Sequence, residues 1–149
     1  MTVSTRHILI GLIDGLTIPF AIASGLVGAG LPNHTIFVSA MAVTTACAIM
    51  MAISGYLSSA RPSPALPAAL TIGISYAAGG WCSLLPFLCT ETPFQALKYA
   101  AAITLPALLL SGYHDSRINN ASGPAGAARV MITAAVAALA AFGVARLFR

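Results

Sequence analysis

Five long apolar runs, separated by short stretches rich in Pro, Gly, Asn and Ser, leave this chain few ways to fold. They cover roughly 8–30, 35–57, 67–88, 94–111 and 127–148. A helix needs roughly 20 apolar residues to cross a bilayer, so five crossings take about 100 positions. That is most of the 149 residues, and what remains is loops and ends. The expected class is an all-α integral membrane protein, a single transmembrane domain of five helices.

Charge supports this. Seven Lys and Arg face three Asp and Glu, 7% of the chain, where a soluble domain carries about 25%. So few charges cannot keep a soluble surface dispersed. An outer-membrane barrel would show short segments of alternating polarity, and these runs are long and rich in Ala, Leu, Ile and Gly. The basic residues lie singly at the ends of apolar runs, which gives no nucleic-acid footprint. Cys47, Cys82 and Cys89 sit in or beside apolar stretches, so neither a disulfide framework nor a zinc knuckle is indicated. The first apolar run is interrupted by Asp14, poor material for a cleaved signal peptide, and is expected to be retained.

The breakers place the loops. Leu31-Pro32-Asn33-His34 ends the first run, Ser58 to Pro64 the second, and Glu91-Thr92-Pro93 the third. Gly112 to Gly126, with Asn119-Asn120 and Gly123-Pro124, reads as the longest connection, which puts His114 and Asp115 in a loop, as His34 is. Five crossings set the termini on opposite sides. With the N-terminus in the cytoplasm, Arg6, Arg61, Arg117 and Arg129 fall inside and Lys98, Arg146 and Arg149 outside, the orientation that the bias of Lys and Arg toward inner loops favours.

Asp14 is the acid well inside a span, about six residues or roughly 9 Å along the helix from its start. A carboxylate at that depth costs several kcal/mol unless it meets a polar partner, a cavity or an ion. Either it caps a helix that begins later, or it works on a cation. Pro19 cannot donate to the Gly15 carbonyl, which leaves an oxygen beside the carboxylate. Asp14, Thr17, Ala21, Ser24, Gly25 and Gly28 share a narrow face of small residues, suited to close helix approach. It predicts a dimer formed through Ser24, Gly25 and Gly28 of two first helices.

In the second run Cys47 lies one turn from Met51 and from Met50. Sulfur ligands favour softer ions over magnesium or calcium, although Met and Cys are also ordinary core fillers. His7, seven residues before Asp14, is about 10 Å away on nearly the same face, placed to relay a proton, to serve as an entry ligand, or to sit at the interface. No nucleophile motif is tied to His114-Asp115, so no enzyme is expected and no resident cofactor.

The stretch Asp14-Gly15-Leu16-Thr17-Ile18-Pro19-Phe20-Ala21, preceded by Ile10-Gly11, resembles the first-helix signature of the vacuolar iron transporter family. Met51, Gly55-Tyr56-Leu57, Ser75-Tyr76, Gly79-Gly80, Leu84-Leu85-Pro86-Phe87 and the small-residue last helix resemble it too. The resemblance implies a homodimer in the lipid bilayer that carries ferrous iron or a similar divalent ion such as manganese out of the cytosol by proton antiport. The ion passes along the interface, with Asp14 and Met51 as metal ligands.

Two departures accompany it. The plant-type family has a glutamate-rich cytoplasmic segment between spans two and three, and Arg61 to Leu66 leaves no room for one. An ungapped alignment puts Val43 where the family has a second-helix glutamate, and His7 where it often has an aspartate. The leading expectation is therefore a metal transporter using Asp14, Met51, Gly15, Cys47 and His7. The competing ones are a divergent non-transporting membrane partner, or a transporter of another cation or small solute.

Overall fold

The computed structural model describes residues 3–58, 62–119 and 122–148. They form α1 (Val3–Gly28), α2 (Asn33–Leu57), α3 (Pro62–Leu84), α4 (Pro86–Cys89), α5 (Pro93–Ile118) and α6 (Gly123–Leu147), with no strand among the described residues. Among the described residues five spans are long and apolar enough to cross a membrane: Thr5–Gly28, Asn33–Leu57, Leu66–Cys89, Pro93–Ile118 and Gly123–Leu147.

The third span is not one helix. Pro86 has no N–H for the Cys82 carbonyl, so α3 stops at Leu84 and a short turn of helix, α4, completes the crossing. Asn33 at the start of α2 donates its side-chain amide to the Thr90 carbonyl just past α4, tying these ends together. The first span ends differently. Gly30 adopts φ 78°, its N–H bonds to the Val27 carbonyl and that of Leu31 to the Leu26 carbonyl. This is a Schellman stop, which needs a residue tolerant of the left-handed region.

Helix α1 is the centre of the bundle, packed most extensively on α3, then on α6, α5 and α2. Its two halves use different chemistry. Toward its C-terminal end Phe20, Ala23 and Val27 join Ile36 and Ala40 of α2, Leu84, Phe87, and Ala96 and Ala100 of α5 in an apolar core. Toward its N-terminal end the backbone itself meets α3. A Cβ on Gly11 would lie 2.4 Å from the Ile72 carbonyl oxygen, and one on Gly79 2.9 Å from the Leu12 carbonyl oxygen. Lipid offers no hydrophobic drive between helices, so this close approach supplies the packing.

Two expectations are corrected here. The small face of α1 is covered within the chain: Ser24 donates to the Ala138 carbonyl at 2.9 Å, and Cβ atoms on Gly25 and Gly28 would meet Ala141 and Phe142 of α6. Ser24, Gly25 and Gly28 therefore hold α6 and are not free to join two first helices. The fourth span also runs further than its apolar stretch. Helix α5 continues to Ile118 because Gly112 is buried against Gly126 and Val130 of α6, so tertiary packing carries the helix past the polar residues. His114 and Asp115 thus lie in the last turns of α5, and His34 in the first turn of α2, none of them in a loop.

Candidate ion site on the first three helices

Asp14 lies half-buried on α1, well inside the span, and heads no helix start, so the capping reading fails. One turn to either side, Ile10 and Ile18 are 37% and 39% exposed. The carboxylate thus stands in an outward-facing stripe. It forms no hydrogen bond or ion pair among the described residues. Gly15, about 100° further round the helix, faces α3, and a Cβ there would fall 2.1 Å from the Tyr76 carbonyl oxygen. Pro19, about two turns along the helix from Gly11, is fully buried, with a Cβ on Gly80 3.2 Å from its ring.

Tyr76 of α3 is the residue that sequence reasoning passed over as a site member. Its side chain is fully buried, and its hydroxyl has no hydrogen-bond partner among the described residues. The titratable groups close enough to act on that hydroxyl are Cys47 of α2 and Asp14 of α1. Three helices thus converge on one phenol. The available signal was a tyrosine in an otherwise apolar span, since a buried Tyr usually seeks a partner for its hydroxyl.

The sulfur residues are arranged unequally. Cys47 and Met51 are half-buried on α2, while Met50 is 66% exposed and turned away from the bundle. Val43 also faces outward, 41% exposed. His7 is half-buried near the start of α1, with its Nδ1 buried and without a hydrogen-bond partner among the described residues. Among the described residues no three His, Cys, Asp or Glu side chains cluster as a metal centre would require. Asp14, Cys47, Met51 and Tyr76 thus put a carboxylate, a thiol, a thioether and a phenol on α1, α2 and α3.

Five membrane-length helices around a mid-span carboxylate define an integral membrane protein. The chain belongs to the VIT family, whose model matches it over residues 5–65 and 60–146. Vacuolar iron transporter 1 of Oryza sativa subsp. japonica is 26% identical over 211 positions, covering 95% of this chain and 84% of the relative. Vacuolar iron transporter 2 of the same plant is also 26% identical, with 95% and 86% covered. Vacuolar iron transporter 1 of Tulipa gesneriana is 25% identical, with 95% and 85% covered. The family is one of transporters rather than enzymes. The aligned length exceeds the 149 residues of this chain, so the relatives are longer within the matched region. The two matched segments overlap at residues 60–65, at the passage from α2 into the start of α3.

Proposed function

We propose that this protein is a secondary transporter of a divalent metal ion, ferrous iron or a similar ion such as manganese, carried out of the cytosol in exchange for protons. The single observation that carries this reading is Asp14: a half-buried carboxylate in mid-span, bracketed by exposed isoleucines, with no hydrogen bond or ion pair among the described residues. Such a group cannot rest against hydrocarbon without a cost of several kcal/mol. A second copy of the chain facing the Ile10–Asp14–Ile18 stripe removes it from lipid and brings two carboxylates together. Asp14 and Met51 of each copy are the proposed ligands, with Gly15, Cys47 and His7 as supporting groups along the path. Iron also stands in the names of the relatives.

The pairing proposed is through the Asp14 stripe of α1 and the outward face of α2, since Ser24, Gly25 and Gly28 are taken up by α6. With the N-terminus in the cytoplasm the path opens between α1 and α2 on that side. Proton exchange follows from the ligand chemistry: a carboxyl must lose its proton to hold the cation and can regain it on release.

The test is metal flux in proteoliposomes under an imposed proton gradient. Accumulation of ferrous iron that depends on the gradient and is lost in Asp14→Asn is the expected result. Gradient-independent flux leaves a uniporter, and no metal flux in the dimeric protein overturns transport. The alternative of a non-transporting membrane partner draws on the outward-facing Val43 and on the absence of a three-ligand cluster among the described residues.

A further inference from the structure

Away from the Asp14 stripe, between α1, α5 and α6, an open cavity of about 370 Å³ is lined almost wholly by apolar side chains, among them Leu97, Leu105, Ala135 and Leu139, with Lys98 at its rim. A second cavity of about 290 Å³ adjoins it, sharing Phe94 and Phe142. It is bounded by Gly30, Thr92 and Arg146, and so is more polar. The two form one groove with a graded character. Its apolar part follows α5 and α6 into the span, and its polar part sits where α1 and α6 end and α5 begins.

Both cations are held at that end by rings. The Lys98 ammonium lies 5.0 Å from the centroid of Phe94, and the Arg146 guanidinium 5.9 Å from that of Phe142. Neither is ion-paired among the described residues. Two uncompensated positive charges at the mouth of an apolar slot in a membrane protein are complementary to one kind of molecule, with an acyl chain below and a phosphate above.

We propose that this groove is a binding site for an anionic glycerophospholipid of the leaflet on the α6 C-terminal side. One acyl chain lies along Leu97, Leu105, Ala135 and Leu139, and the headgroup phosphate sits between Lys98 and Arg146. The site is separate from the proposed ion path and does not depend on transport. A lipid seated there bridges α5 and α6 to the end of α1, filling a gap that the protein's own side chains leave.

The test is lipid retention by the purified full chain, read by native mass spectrometry in detergent, with phosphatidylglycerol and phosphatidylcholine supplied at equal concentration. Phosphatidylglycerol should be preferred. A basic residue at the membrane surface favours an anionic lipid by roughly fivefold, so Lys98→Gln with Arg146→Gln should cut the preference by about thirtyfold. Both side chains are exposed, so the fold should survive their loss. Ala135→Leu, which fills the apolar part, should lower retention of both lipids. Equal retention of the two lipids by the wild-type chain overturns the proposal without recourse to any variant. So does displacement of phosphatidylglycerol by millimolar inorganic phosphate, which reduces the site to an anion pocket. A changed oligomeric state in Ala135→Leu with lipid retention intact assigns the groove to a second copy and overturns it as well.

Discussion

A Cβ on Gly15 would stand 2.1 Å from the carbonyl oxygen of Tyr76, so α1 and α3 touch through their backbones in the turn that carries Asp14. That contact fixes where the carboxylate points. Helix α1 cannot rotate or shift outward without opening this contact and those at Gly11 and Gly79 along the same seam.

Gly15→Ala should therefore be among the most damaging substitutions in the chain. The atoms in the way are backbone, which cannot swing aside, so overpacking should cost about 3 kcal/mol, the upper end of the usual range. A clear drop in melting temperature in detergent is expected. Gly143→Ala is the control, because a Cβ there meets nothing within 4 Å.

Asp14→Asn should separate function from folding. The carboxylate makes no hydrogen bond or ion pair among the described residues, so an amide of the same size loses none of those. Melting temperature should hold or rise, since a mid-span charge is itself costly. Metal flux should fall at least about tenfold, the loss expected for a removed charged ligand contact. Unaltered flux would return Asp14 to a structural role. Acidification on the side where metal enters should slow uptake by the native chain, as protons compete for the same oxygens, and the Asp14→Asn variant should lose that dependence.

Met51→Leu keeps bulk and apolarity while removing sulfur, and such swaps rarely cost more than about 1.5 kcal/mol. Transport of ferrous iron should decline while the bundle stays folded, and magnesium should compete better against what remains. Met50→Leu, on the exposed side of α2, should be silent. Equal effects at 50 and 51 would argue that neither sulfur touches the ion.

Gly28→Ala should loosen the protomer rather than the proposed dimer, because its Cβ would lie 2.5 Å from the Phe142 carbonyl oxygen within the same chain. Ser24→Ala removes the 2.9 Å bond to Ala138 and should cost about 1 kcal/mol. Thermal unfolding combined with size-exclusion chromatography distinguishes the cases: a lowered melting temperature with an oligomeric state unchanged from the native chain is expected for both, and for Gly25→Leu, whose side chain runs into Ala141.

The spans were legible because hydrocarbon imposes a length and a composition that no other context imposes, and the order of Asp14, Pro19 and Met51 carried the family. What the sequence hid was pairing. Ser24, Gly25 and Gly28 look the same whether a neighbouring helix belongs to this chain or another, since close approach needs only the absence of bulk. The far end of α5 was hidden for a related reason: Gly112 and the polar residues after it break a helix in isolation, and their burial against α6 reverses that preference. The break at Pro86 had its signal in the proline itself, and Leu84 and Leu88 on either side masked it by keeping the run apolar. Tyr76 could be placed beside Asp14 and Cys47 only once α3 was seen to lie between α1 and α2.

The bond from Ser24 to Ala138 joins residues 114 positions apart. During synthesis α1 enters the bilayer long before α6 exists, so the helix bearing Asp14 must wait with its small face open while four further elements are made. Any factor that shields an inserted but incomplete bundle has its target there. A ribosome-stalled chain ending after α5 would display Ser24, Gly25 and Gly28 to lipid or to a chaperone, and release of that face marks the moment the fold is complete.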